Sequence, residues 1–221
     1  MIWIKICGTT NLDDARAAAD AGANAIGFVM AESSRRIEPK QVAAIVAQLP
    51  PKVEKVGVFV NERPARIREI VKHTGLTAVQ LHGDDSADFA EQLFPESATG
   101  RPRIYRALSM KTIFSTANAT AFLRVHRVKQ IFDALLVDSG SPTRGGTGFT
   151  FDWERARPFI NGLKQTGKVI VAGGLTPDNV ARAIEIFKPW GVDVASGVES
   201  EPGKKDHDKI KAFVEAVRKA S

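Results

Sequence analysis

The stretch KVIVAGGLTPDNVARAIEIFKPWGVDVASG, residues 168–197, decides the fold. Its ends are short apolar runs, 168–172 and 191–195, and between them Val180, Ala183, Ile184 and Phe187 recur at helical spacing. Each run stops at small residues: Gly173 and Gly174 after the first, Ser196 and Gly197 after the second. Thr176 followed by Pro177 marks a helix start, because proline tolerates the first helical position. Strand, helix and strand in so short a span make a βαβ unit, whose two strands run parallel.

The same alternation extends outward to both ends of the chain. Further β-rich runs lie at 2–6, 24–29, 55–60, 77–81, 103–107 and 133–137, which makes eight in all. Helical spacing separates them, as in Leu12, Ala15, Ala18 and Ala19, with Asn11 placed to cap that helix. A run such as Ala25-Ile26-Gly27-Phe28-Val29 is apolar without alternation, the pattern of a strand covered on both faces by helices.

Eight strand–helix units predict an α/β chain closed into a single-domain (β/α)8 TIM barrel over residues 1–221. An open doubly wound sheet is the competitor, since periodicity does not report closure, but no G-x-G-x-x-G follows the first strand. Pro95, Gly100 and Pro102 interrupt the pattern, so the fifth helix is expected to begin somewhere between Lys111 and Ala119. The glycine-rich segment from Ser139 to Gly148 follows a strand end and reads as a mobile active-site loop.

Composition narrows the function. A single cysteine excludes an internal disulfide, and His73, His82, His126 and His207 are too widely spaced for a zinc site, so no metal is expected. The net charge of +6 suits an anionic small molecule, nucleic acid or plain solubility. Basic residues are mixed with acids, as in Arg66-Ile67-Arg68-Glu69, and one tyrosine and three tryptophans make no stacking platform, which argues against nucleic acid. The chain enters its first strand without a signal-peptide pattern, and its apolar runs fall short of the roughly 20 residues of a membrane span. A soluble cytoplasmic protein, monomer or homodimer, is the expectation.

In a barrel the residues at the strand ends face one mouth, where the chemistry is done. Here they are Cys7, Met30 to Arg36, Asn61, His82, Leu108, Asp138, Gly173 with Gly174, and Ser196 with Gly197. The two glycine turns follow strands seven and eight, the usual phosphate site of this fold, where backbone N–H groups can approach an anion closely; the bland alternative is that they only make turns. Cys7 could equally be a small buried apolar residue, and Asp138 a turn former. Together they suggest more. Strands about 4.8 Å apart and tilted near 36° make a barrel of radius roughly 7–8 Å, so two inward side chains three strands apart leave a gap of about one sugar ring. One could act as base and the other as acid. That needs a thiolate, favoured by a nearby cation, and a protonated acid, favoured by apolar walls. Lys5, two residues before Cys7, faces the same side and is expected beneath it. Arg36, in the loop after strand two, could grip a carboxylate bidentately, and His82 could be a second acid or base but, with no matching partner visible in the sequence, reads as architecture or substrate contact.

Lys5-Ile6-Cys7-Gly8, Gly57-Val58-Phe59-Val60-Asn61, Gln80-Leu81-His82-Gly83, Gly145-Gly146-Thr147-Gly148 with Phe151-Asp152-Trp153, Ala172-Gly173-Gly174-Leu175, and Ser196-Gly197-Val198-Glu199 with Pro202-Gly203-Lys204-Lys205-Asp206 occur in that order. Together they resemble the phosphoribosylanthranilate isomerase family of tryptophan biosynthesis, from residue 2 to about 214. Ala195 and Met30 depart from it, standing where the family often has serine and an aromatic residue. The resemblance implies a cofactor-free Amadori rearrangement of a phosphorylated small molecule, with Asp138 as general acid and Cys7 as general base. It also implies that Arg36 holds the anthranilate carboxylate, that Gly173, Gly174, Ser196 and Gly197 hold the phosphate, and that the loop containing Gly146 closes over the substrate. Another sugar-phosphate isomerase or epimerase barrel, or a catalytically silent sugar-phosphate-binding barrel, is the alternative.

Overall fold

Every strand found in the sequence is present. A computed structural model describes residues 1–83, 87–94, 100–110, 131–139 and 152–221. The strands are β1 (Trp3–Cys7), β2 (Ala25–Val29), β3 (Glu54–Phe59), β4 (Ala78–Leu81), β5 (Arg103–Ser109), β6 (Ala134–Asp138), β7 (Val169–Val171) and β8 (Gly191–Val194). All neighbours pair in parallel, and β1 pairs with β8, so the sheet closes into a barrel and the open-sheet alternative falls. The described helices are α1 (Leu12–Asp20), α2 (Pro39–Val46), α3 (Pro64–Thr74), α4 (Ala87–Leu93), α5 (Trp153–Lys164), α6 (Val180–Phe187) and α7 (His207–Lys219). The expected start of the fifth helix, and Gly146 with its glycine-rich neighbours, lie outside the described residues.

Local chemistry explains the helix boundaries. Asn11 caps α1 as expected, its side-chain oxygen accepting from the Asp14 N–H at 2.9 Å. Pro39 and Pro64 open α2 and α3. The regular part of α6 starts at Val180, later than Thr176-Pro177 suggests. Asn179 causes the delay: its side chain accepts from the Thr176 N–H at 2.8 Å and donates to the Gly174 carbonyl at 2.9 Å. A side chain bonded to nearby backbone in this way favours a turn over another helical residue.

Alternation sorts the buried side chains into two compartments. Outward residues such as Ile4, Ile6, Ile26, Phe28, Val137 and Val171 join the helices in the larger core. Inside the barrel, Trp3, Ala25, Val56, Ala78, Tyr105, Ala134 and Ile170 fill the lower layers, with Trp3 stacked on Trp190 at 5.1 Å between ring centroids. Above them the interior turns polar. After β8 the chain makes a 3-10 turn (Ser196–Val198) and a two-stranded hairpin, β9 (Glu199–Glu201) with β10 (Lys204–Lys205), which sequence reading did not anticipate.

Candidate active site

Cys7 ends β1 and Lys5 lies two residues below it on the inward face, as alternation requires. Lys5 is wholly buried, and its Nζ donates to Asp193 Oδ2 at 2.9 Å and to Gln80 Oε1 at 2.8 Å. Burial disfavours the ammonium. The Asp193 carboxylate and the adjacent Cys7 outweigh that and hold its pKa above the usual lysine range. Among the described residues the buried Asp193 Oδ1 has no hydrogen-bond partner, although Asp193 lines the cavity above.

For Cys7 the balance goes the other way. Burial pushes its thiol pKa up, and the Lys5 and Lys205 ammonium groups only partly oppose it. The cation expected beneath the sulfur is there, yet the resting group is a neutral thiol. Gly27 is the register partner of Cys7 on β2, and a Cβ there would stand 2.8 Å from Cys7 Sγ and 2.9 Å from Lys5 Cε. Only glycine leaves room for both.

Asp138 ends β6, three strand positions from β1 through β8 and β7. It is buried at the edge of the same cavity as Cys7. Its Oδ1 accepts from the Ser139 hydroxyl at 3.2 Å, and its Oδ2 lies 3.5 Å from His82 Nε2. Burial lowers the His82 pKa, against the pull of Asp138, so the ring is neutral at rest. Gly173 has φ +86, and a Cβ there would be 2.7 Å from Asp138 Oδ1. That glycine serves the turn and the acid at once.

The two arginines after β2 divide their work. Arg36 lines the cavity rim, with 52% of its side chain exposed, and reaches Glu38 Oε1 at 3.0 Å, a loose surface pair that a bound carboxylate can displace. Arg35 is buried and grips Glu199 with both Nε, at 2.8 Å to Oε1, and Nη2, at 2.7 Å to Oε2. Lys205 Nζ joins the same Oε1 at 2.9 Å and also donates to the carbonyls of Cys7, at 2.6 Å, and Ala195, at 3.2 Å. This triad ties the loops after β1, β2 and β8 together around the thiol. Sequence reading singled out neither Glu199 nor Lys205 for any role; only their presence within the family-like motifs pointed to them.

Gly173, Gly174 and Ser196 line the cavity. Gly197 sits behind them, its Cα hard against the Leu175 carbonyl, where a Cβ would come within 1.8 Å of the oxygen. The loops after β7 and β8 therefore interlock at the expected anion site. With a volume of about 390 Å³, the cavity has a thiol and a carboxyl on separate walls, an arginine at the rim and glycine turns at one end. That arrangement can perform paired proton transfers on a small anionic molecule. Among the described residues no group of three or more His, Cys, Asp or Glu side chains could hold a metal ion.

The comparisons with known proteins agree with one another. The family model described as PRAI, N-(5'phosphoribosyl)anthranilate (PRA) isomerase, matches residues 4–216. The N-(5'-phosphoribosyl)anthranilate isomerase of Pelobacter propionicus is 44% identical over 216 residues, 97% of this chain and 94% of that protein. The crystal structure of phosphoribosyl anthranilate isomerase from Thermotoga maritima is similar with a TM-score of 0.83 at 38% identity, covering 99% of this chain and 100% of that one. A phosphoribosyl anthranilate isomerase solved in complex with reduced 1-(o-carboxyphenylamino)-1-deoxyribulose 5-phosphate gives a TM-score of 0.79 at 36% identity, over 99% and 100% of the two chains.

Proposed function

This chain belongs to the N-(5'-phosphoribosyl)anthranilate isomerase family, and we propose that within it Cys7 is the general base and Asp138 the general acid. The enzyme converts N-(5-phosphoribosyl)anthranilate into 1-(2-carboxyphenylamino)-1-deoxyribulose 5-phosphate, a step of tryptophan biosynthesis. In our reading Asp138 protonates the ribose ring oxygen, the bond from that oxygen to C1 breaks, and the nitrogen lone pair forms the C1 imine. Cys7, as thiolate, removes the C2 proton, and the electrons shift toward nitrogen to give an enolamine. Tautomerisation to the ketone moves the enol proton off oxygen and places one on C1. The carboxyl has then lost a proton and the thiolate has gained one, and exchange with water returns each to its starting form.

The observation that carries this reading is that Cys7 and Asp138 line one cavity from strands three positions apart. Arg36 would hold the anthranilate carboxylate at the rim, with His82 as a further contact. Gly173, Gly174, Ser196 and Gly197 would receive the phosphate, which the likeness to the relative solved with a phosphorylated ligand supports. Residues 1–221 would act as one catalytic domain, in the cytoplasm and without a cofactor.

Turnover of freshly made substrate, followed by the loss of its fluorescence, tests the assignment. Cys7→Ser and Asp138→Asn should each lower kcat by about 100-fold or more, the scale of one acid or base. Arg36→Ala should chiefly raise KM. Losses confined to KM in the first two variants would refute their roles.

A further inference from the structure

The reaction uses the strand ends and leaves the polar layer beneath them without a task. The direction of the hydrogen bonds in that layer supplies one. A lysine ammonium can only donate, so the Gln80 atom 2.8 Å from Lys5 Nζ is the amide oxygen. The other end of that amide, Nε2, lies 3.2 Å from His82 Nδ1. An amide nitrogen carries hydrogens and does not accept, so His82 Nδ1 is the accepting, unprotonated nitrogen. The ring hydrogen is therefore on Nε2, the nitrogen that faces Asp138 Oδ2 at 3.5 Å.

We propose that Gln80, held by Lys5, is a positioning residue that fixes His82 as the Nε2–H tautomer, so that His82 donates to Asp138 Oδ2 and leaves Oδ1 to carry the catalytic proton. The 3.5 Å separation is long for a hydrogen bond, and contacts of this kind tighten when substrate fills a site. Ser139 does not oppose the arrangement, because its hydroxyl near Oδ1 can accept as well as donate. Oδ1 is also the oxygen against Gly173, at the cavity wall. A second proton on His82 would have to sit on Nδ1, facing the Gln80 N–H groups, and the buried Lys5 charge further disfavours it. The inference rests on Asp138 being the acid, and its test separates the two claims.

Nitrogen-15 NMR of the wild-type protein labelled at histidine reads the tautomer directly. His82 should be the Nε2–H form at neutral pH; an Nδ1–H form or an imidazolium overturns the proposal. In Gln80→Glu a carboxylate replaces the amide donor, so Nδ1 should become protonated, and kcat should fall about 10- to 100-fold with KM little changed, the scale of misplacing a group at the reacting centre. Gln80→Met, which keeps the bulk without the donor, should give mixed tautomers and an intermediate kcat. An Nε2–H signal that persists in both variants, or a wild-type kcat after the tautomer has switched, refutes the positioning role. Should Asp138→Asn keep its kcat while the tautomer results hold, it is the acid assignment that fails.

Discussion

Gly27→Ala tests whether the position of the sulfur limits the reaction. The new methyl carbon would lie 2.8 Å from Cys7 Sγ, 2.9 Å from Lys5 Cε and 3.2 Å from Cys7 Cα. Favourable carbon contacts begin near 3.5 Å, so the sulfur must give way by roughly 0.7 Å. Lys5 cannot absorb the strain, because its Nζ is tied to both Asp193 and Gln80. Displacing a reacting atom by about 1 Å costs up to about 100-fold, and overfilling a packed interior costs about 1–3 kcal/mol of stability. The expected outcome is a kcat lowered by about 10- to 100-fold together with a lower melting temperature. Gly57→Ala is the control. Its methyl would press on Leu76 Cδ1 at 2.7 Å and Phe59 Cε2 at 2.8 Å, in the outer core away from the cavity, so it should lower stability and leave kcat alone. A Gly27→Ala enzyme that melts earlier but turns over at the wild-type rate would refute the claim that this glycine protects the base.

Three more expectations follow from buried ionisable groups. Lys205→Met removes the ammonium donor from the Cys7 and Ala195 carbonyls and leaves the buried Glu199 carboxylate with Arg35 as its one cation, beside the Gly203 N–H, so it should cost about 3 kcal/mol or more in urea denaturation, and a loss below about 1 kcal/mol would show the triad to be dispensable. The raised Cys7 pKa sets two pH effects. Because the base must be a thiolate, kcat/KM should climb across the neutral range by up to about tenfold per pH unit, and a flat profile would contradict the role. For stability the sign is opposite: the unfolded thiol ionises near its ordinary value of 9.0 while the folded one stays neutral, so folding stability should fall as pH rises past that value. Cys7→Ala should lack that part of the alkaline loss.

What could be read in advance follows from the range of each interaction. Strands and their ends depend on local apolar runs and glycines, so Cys7, Asp138 and the two glycine turns emerged from the chain alone, and period-two alternation placed Lys5 under the sulfur. Arg35 and Arg36 are neighbours of the same type, and nothing local says which is buried. Their fates are decided by Glu199, 164 positions away from Arg35. The Lys205 bond to the Cys7 carbonyl spans 198 positions and is equally invisible. The protonation of Cys7 was not legible either, because the desolvation that pushes its pKa up scales with burial, and burial is a property of the closed barrel.

The polar layer of the barrel is hard to explain as a source of stability. The interior below it is filled by Trp3, Ala25, Val56, Ala78 and their neighbours, and apolar side chains would continue that packing upward at no desolvation cost. Instead Lys5 and Asp193 form a buried ion pair of zero net charge, with the Gln80 amide bonded to the lysine and, among the described residues, no partner for the second carboxylate oxygen. A neutral pair adds little to the field of the whole protein, but at close range it is a directed dipole. Its positive end lies beside the thiol that must lose a proton, and the amide bonded to that end orients the histidine facing the carboxyl that must donate one. Both effects come from one lysine, so the energetic burden of burying it is accounted for by the chemistry above it rather than by the fold below.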